Sequence, residues 1–258
     1  MFGLGEAGSR FAADLAAEGV AVRGYDPAGV VTPSGVERAA TAGAAVLGAD
    51  LVLALTAAAD APGALRQAID HIPATAVYAD AATGGATLKQ ELARVAAERG
   101  LAFADVALMS VVPGNGLRTP ALVSGPGAVR YVELLAPFGI DLEAIGPEPG
   151  AAATRKLLRS VFMKGLAAIV IEAMHAAEQA GQQDWLWGNI VDEVTSAGAP
   201  LLSRLVRGTG PHARRRLHEM EASTALLEEL GVEPLMTRAT TSHSGGSRKA
   251  RHSRASRW

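Results

Sequence analysis

No cysteine occurs among the 258 residues. That excludes a disulfide scaffold, a thiolate-held zinc or iron–sulfur centre and a cysteine nucleophile. It also fits a reducing cytoplasm, the expected location. Aromatic residues are sparse at 4%, and the 49% hydrophobic content is swollen by alanine, which favours helix but buries little surface. Long apolar runs are missing too. The best of them, residues 165–171, lies between Lys164 and Glu172, far short of the roughly 20 residues a bilayer crossing needs. The opening MFGLGEAGSR has no basic segment leading into an apolar one, so no secretory signal is expected. No His, Asp or Glu spacing matches a metal centre, and no G-x-S-x-G elbow is present. The apolar fraction still suffices for a core, and the length allows one large or two modest domains.

Neither sign of charge dominates, with 24 Lys+Arg against 26 Asp+Glu. The balance hides an asymmetry. Residues 239–258 carry five Arg/Lys and no acid, leaving a body of about −7. This basic, Ser- and Gly-rich tail has little to bury and is expected to be disordered, a solvated terminus rather than a nucleic-acid arm.

Up to residue 146 short apolar runs alternate with amphipathic stretches. Strands are expected at residues 20–25, 51–55, 76–79, 102–105 and 121–124, with helices at 9–18, 39–47, 64–70 and 87–99. Near-continuous apolar strands separated by helices specify an α/β domain, a doubly wound parallel sheet covered on both faces. Gly146-Pro147-Glu148-Pro149-Gly150 is a helix-breaking junction. Beyond it runs an all-α domain over residues 147–238. Its first helix, residues 151–180, is apolar around much of its girth, with Leu157, Leu158, Val161, Phe162, Leu166, Ile169, Val170, Ile171 and Met174. Such a helix belongs at a domain or subunit interface, and a homodimer is expected. Further helices are expected at 184–195, 200–207 and 212–230. His175 reads as a packed or interface histidine, and His212, Arg214, Arg215, Arg216 and His218 as a solvated face or an anion clamp.

The strongest motif opens the chain. Gly3, Leu4, Gly5, Glu6, Ala7 and Gly8 form G-x-G-x-x-G, followed by a helix, a strand and then Asp26. The glycines permit a tight turn and let backbone N–H groups approach a pyrophosphate at the positive end of the helix. An acid about 20 residues on accepts hydrogen bonds from the adenosine ribose and repels a 2′-phosphate. The expected cofactor is therefore NAD or NADP, with NAD favoured, although Arg23 stands near enough to help a phosphate. Only Met1 and Phe2 precede Gly3, so the first strand is expected to be stunted, as if apolar residues upstream had been lost.

GLGEAGSRFAADLAAEGVAVRGYDP resembles the opening motif of the β-hydroxyacid dehydrogenase family, which includes the 3-hydroxyisobutyrate and 6-phosphogluconate dehydrogenases. Asp80-Ala81-Ala82-Thr83 resembles that family's Asp-x-Ser-Thr turn, and DVALM from Asp105 its substrate-binding segment. GAAATRKLLR from Gly150 resembles its G-x(5)-K helix start. The carboxyl half is similar to a phosphogluconate-dehydrogenase-like, NAD-binding branch. The resemblance implies a Rossmann-like domain followed by a helical one, and a nicotinamide cofactor. It also implies Lys156 as the catalytic lysine. Two departures stand out. Met109-Ser110-Val111 replaces Ser-Gly-Gly, and Arg159 replaces the Asn that follows the lysine.

The residues support the same roles. Reducing a carbonyl needs a hydride for carbon and a proton for oxygen, so a side chain of tuned pKa must reach that oxygen. Lys156 near the start of an apolar helix suits that task. Arg155 and Arg159 flank it, and like charge lowers a lysine pKa. The bland alternative is a lysine snorkelling from the helix rim. Ser160 and Lys164 continue a polar stripe, and Lys164 is either a rival or an anchor for an anionic substrate group. Thr83 is expected at the nicotinamide or its ribose, or as a helix cap. Leu55 and Thr56 should pass beside the cofactor. Ser110 and Asn115 flank the substrate loop, Asn115 equally suiting a turn. The expected function is an NAD(P)-dependent oxidoreductase acting on a small hydroxy acid or its keto form. The alternatives are an imine reductase of the same architecture and a non-catalytic dinucleotide-binding protein.

Overall fold

The computed structural model describes residues 1–209 and 213–245, which divide into two compact units, one ending at Arg159 and the other beginning at Ser160.

The first unit is a layered α/β domain. Its strands are β1 (Val22–Gly24), β2 (Val36–Arg38), β3 (Leu51–Ala54), β4 (Val77–Asp80), β5 (Ala102–Leu108), β6 (Ala121–Ser124) and β7 (Leu142–Ala144). They form a parallel pair, β1–β2, and a five-stranded sheet in the order β3-β4-β5-β6-β7. Phe2 joins the two. It bridges in parallel to Tyr25 on one side and Ala54 on the other, its N–H donating to Leu53 O and its carbonyl accepting from Leu55 N, each at 2.8 Å. The stunted first strand is thus reduced to a single bridging residue, yet it keeps its central place.

The sheet is parallel as expected except between β5 and β6, so that β6 and β7 run against the other strands. The physical reason is the connection. Residues 109–120, between β5 and β6, hold one 3₁₀ turn, Gly116–Arg118, and no crossover helix, and without a crossover the chain returns in the opposite direction. The strands β2 and β7, three residues each with half-exposed patterns, have no apolar run to reveal them in the sequence.

Alternation along the strands feeds two apolar layers. Leu53, Val77, Ala79, Val106 and Val123 join Phe11 and Leu15 of α1 (Glu6–Ala17) and Tyr131 and Leu135 of α5 (Ala128–Leu135). Val52, Ala54, Tyr78 and Phe103 face the other way. They meet Val46 of α2 (Ala42–Val46), Leu65 of α3 (Ala61–Ala68) and Leu92 of α4 (Ala86–Ala97). This period of two is what a sheet covered on both faces requires.

The long helix α6 (Ala151–Gln179) supplies residues 151–159 to the first unit and 160–179 to the second. The break between units therefore falls one helical stretch beyond the Gly–Pro junction. The second unit continues with α7 (Gln183–Thr209), α8 (Ala213–Glu229) and α9 (Leu235–Gly245). A kink at Gly198 (φ 50°, ψ −141°), just before Pro200, divides α7 close to where the sequence places the end of one helix and the start of another. The start of α9 is held by Glu172, whose carboxylate accepts from Met236 N (2.7 Å), Thr237 N (2.9 Å) and Thr237 Oγ1 (2.6 Å). Residues 239–245 therefore belong to a helix anchored to α6, where sequence composition suggests disorder. The rest of the basic tail, and His212, lie outside the described residues. Among the described residues no helix is long and apolar enough to cross a membrane.

Candidate functional site

The glycine loop sits where β1, Phe2 and β3 converge. A Cβ on Gly3, whose φ is +80°, would lie 2.5 Å from Leu55 O, and one on Gly8 would collide with Gly3 O. These two glycines let the loop close on the end of β3 and on itself. At Gly5, by contrast, a Cβ would meet nothing. Gly5 is also the N-cap of α1 and brings no side chain to its first N–H groups, so the positive end of a twelve-residue helix is open to an anion. Thr56 Oγ1, just past β3, is buried without a hydrogen-bond partner among the described residues. An uncapped helix end, a glycine with open space and an orphaned hydroxyl suit a dinucleotide diphosphate.

Asp26 stands at the carboxyl end of β1 as the spacing predicts. Its Oδ2 accepts from Leu4 N (2.7 Å) and its Oδ1 from Ala28 N (2.8 Å), which ties the acid to the loop while leaving lone pairs for ribose hydroxyls. The neighbouring cation is not the one the sequence suggests. Arg23 turns away, donating to the carbonyls of Ala44 (3.0 Å) and Leu47 at the end of α2. Arg38, the last residue of β2, takes its place. It donates to Asp26 O (2.6 Å), Ala28 O (3.1 Å), Val30 O (2.9 Å) and Thr32 Oγ1 (3.4 Å). Three-residue β2 hides Arg38 from a sequence reading.

Lys156 and Thr83, from stretches 73 residues apart, come together. Lys156 Nζ donates to Thr83 Oγ1 at 3.3 Å. The helix-cap alternative for Thr83 fails, because the N-cap of α4 is Gly85 and no side chain caps it. Gly150 makes the meeting possible. At φ +93° it presses on the first turn of α4, where a Cβ would lie 2.9 Å from Ala86 Cα, and so brings the start of α6 onto the turn that carries Thr83.

Beneath that contact lies a polar row that sequence reasoning passes over. Asp80 pairs with Asp105 across β4 and β5, and Asp105 with Ser124 across β5 and β6. All three are fully buried, as is Lys89 of α4. Lys89 Nζ donates to Asp80 O (2.9 Å) and Asp80 Oδ1, and stands 3.5 Å from Asp105 Oδ1. Burial raises the Asp80 carboxyl above its ordinary value, Lys89 pulling against the shift and Asp105 reinforcing it. The available signal was a lysine on the apolar stripe Lys89, Leu92, Ala93, Ala96 of α4.

The remaining candidates are more dispersed. Ser110 is exposed in the loop after β5. Asn115 donates its amide to Val111 O (2.7 Å), the turn role, and with Arg10, Asp14, Glu18, Arg118 and Phe138 lines a cavity of about 360 Å³ beside α1. Ser160 and Lys164 fall in the second unit, Ser160 half-buried and Lys164 exposed. Of the basic cluster on α8, Arg215 pairs with Glu219 (3.1 Å) and His218 with Glu221 (3.2 Å), a solvated face. His175 is exposed on α6.

A glycine loop at a helix end and an acid closing the neighbouring strand define a dinucleotide-binding domain of the dehydrogenase class. Comparison with known proteins agrees. Residues 1–114 match the NAD binding domain of 6-phosphogluconate dehydrogenase, and residues 177–243 match a domain of unknown function, DUF1932. Together these two matches are typical of the β-hydroxyacid dehydrogenase-like family, and the chain has an NAD(P)-binding, dehydrogenase-like fold. Over 119 residues, 46% of this chain, it is 31% identical to an uncharacterized 28.5 kDa protein in the 7S RNA 5′ region of Methanothermus fervidus. That alignment spans 47% of the relative's own length. A conserved hypothetical protein from Sinorhizobium meliloti 1021 is 28% identical with a TM-score of 0.61, over 98% of this chain and 92% of that one. An imine reductase from Myxococcus stipitatus, solved with NADP+, is 17% identical with a TM-score of 0.78, over 94% of this chain and 91% of that one. It shares the fold.

Proposed function

We propose that the chain is an NAD(P)-dependent oxidoreductase that moves a hydride between a nicotinamide and a small hydroxy acid or its keto form, with Lys156 exchanging the proton. The observation that carries this reading is the 3.3 Å contact of Lys156 Nζ with Thr83 Oγ1, an amine aimed at the turn that follows β4. When bound, the nicotinamide supplies or accepts the hydride. The chain's own residues do the rest. Gly3, Leu4, Gly5, Glu6, Ala7 and Gly8 present backbone N–H groups to the diphosphate, with Leu55 and Thr56 alongside. Thr83 orients the Lys156 ammonium, which donates a proton to the substrate oxygen as the carbonyl is reduced. In the reverse direction the neutral amine takes that proton back. Ser110 is assigned to the substrate's anionic group, whereas Asn115 shapes its loop.

NAD is the favoured cofactor. Asp26 repels a 2′-phosphate, and the Arg38 guanidinium beside it already serves four oxygens of its own loop. A second copy of the chain is assigned to the apolar face of α6, where Leu158, Val161 and Ile171 are 67%, 74% and 69% exposed.

Imine reduction is the second reading. The Myxococcus stipitatus imine reductase shares the fold, and the loop at Met109-Ser110-Val111 lacks the family's Ser-Gly-Gly for a carboxylate. A turnover screen with 2- and 3-keto acids, their hydroxy acids and cyclic imines, with NAD(H) and NADP(H), separates the two. With the substrate so found, Lys156→Ala should cut kcat/KM by about 10²–10⁴ and leave the calorimetric Kd for the nucleotide unchanged. Unchanged turnover in that variant sinks the proposed role. Nucleotide binding with no turnover of any substrate leaves a dinucleotide-binding protein that is not an enzyme.

A further inference from the structure

The row Asp80–Asp105–Ser124 with Lys89 is an expensive way to build a sheet. Three ionisable groups lose their water, and an apolar set of similar volume is often as stable or more so. Two acceptors, Asp80 Oδ2 and Asp105 Oδ1, even lack hydrogen-bond partners among the described residues. What the row holds gives it a purpose. Asp105 Oδ2 accepts from Ser124 Oγ (3.1 Å) and from Ala153 N (3.0 Å), while Ser124 Oγ accepts from Ala152 N (3.0 Å). These two amides belong to the first turn of α6, where a carboxylate also meets the positive end of the helix. Lys156 lies three and four residues further on, above the same face. At the other end Lys89 fastens both the carbonyl and the carboxylate of Asp80, three residues before Thr83. Both partners of the Thr83–Lys156 contact are therefore tied, through one row of the sheet, to one ammonium.

We propose that Asp80, Lys89, Asp105 and Ser124 are positioning residues that fix Lys156 against Thr83 by anchoring the first turn of α6 to the strand ends. This rests on the reading of Lys156 as the proton-exchanging group. It explains why charged residues occupy a place where alanine and valine would fill the space. Lys89 keeps two adjacent carboxylates together, and Asp105 and Ser124 present that arrangement to the helix.

The test uses the full chain and two readouts that need no substrate. One is the rate of Lys156 acylation by acetic anhydride, measured by mass spectrometry against Lys164 in the same molecule. The other is hydrogen exchange at the amides of Ala152 and Ala153. Ser124→Ala should speed exchange at the Ala152 amide about fivefold, the worth of one hydrogen bond, and change the Lys156 to Lys164 acylation ratio. Ser124→Thr, which keeps the hydroxyl, should restore both. Asp105→Asn should act more strongly in the same sense, and if it does not fold, the Ser124 pair carries the test. A native acylation ratio in folded Ser124→Ala, or no restoration by Ser124→Thr, overturns the proposal. Where turnover is measurable, kcat should fall in Ser124→Ala while KM for the nucleotide holds. Should acylation shift as expected while Lys156→Ala leaves turnover intact, the positioning stands and the proton role falls.

Discussion

Within residues 1–159 the chain closes two apolar layers, one on each face of its sheet. Within the described residues from 160 onward, the buried apolar cluster amounts to Ala176, Leu227 and Val232, with Leu230 against it. Alanine makes up 39 of the first 159 residues but 14 of the remaining 99, so the unit richer in this small side chain is the one with the fuller core. A sheet gives each strand two faces and lets small residues such as Ala54, Ala79 and Ala104 pack to full burial. A helix offers one stripe to a neighbour, and α6 and α7 leave Val161, Phe162, Ile171, Trp185 and Trp187 largely open. The first unit can spend core positions on polar chemistry because its apolar layers are complete. The second has apolar surface to give away, which is the composition of an interface.

The sharpest way to break this contrast is to remove a charge from the first unit's core. Lys89→Met leaves Asp80 and Asp105 buried side by side and should cost about 3–5 kcal/mol, read as a lower urea midpoint at constant m-value. A change under 1 kcal/mol would mean that the row is not held as described. Gly150→Ala comes next. It places a methyl against Ala86 at a φ that L-residues avoid, and should cost about 1–3 kcal/mol. An unchanged melting temperature would contradict the close approach of α6 to α4.

Val161→Asp probes the second unit. On an exposed surface it should alter the stability of the chain by no more than about 0.5 kcal/mol. If a second copy covers this face, however, it should halve the mass seen by light scattering. A wild-type chain that is already monomeric would dismiss the dimer.

The smallest effect concerns acid. Glu172 is held below its ordinary 4.5. Desolvation, the largest single influence, works upward but is outweighed by the hydrogen bonds from Thr237, Met236 and Leu235. Its contribution is therefore present above the unfolded value and lost as pH falls through the folded one. Asp80 is shifted the other way, so its contribution is present at low pH and lost as pH rises through its folded value. Acidification through the carboxylate range should loosen α9, seen as faster amide exchange at Met236 and Thr237, without loosening the ends of β4 and β5. Glu172→Gln should remove the first response.

Much of this was legible in the chain itself. G-x-G-x-x-G, its distance to Asp26 and the alternation of apolar runs specify a dinucleotide-binding sheet, because each depends on neighbours close in sequence. Lys156 was legible as a charge on an apolar helix, and the Gly–Pro junction marked a change of architecture. What the sequence could not decide were matters of register and direction. β6 reverses because the loop before it, residues 109–120, holds no crossover helix. Arg38 rather than Arg23 guards Asp26, because a three-residue strand brings it there. Asp80, Asp105 and Ser124 stand in one row only once three strands have been aligned. Local pattern fixes which elements form, since helix and strand periods are written in adjacent residues. Which side chains meet across tens of residues is settled by packing alone, and here that decides what Lys156 faces and what holds it there.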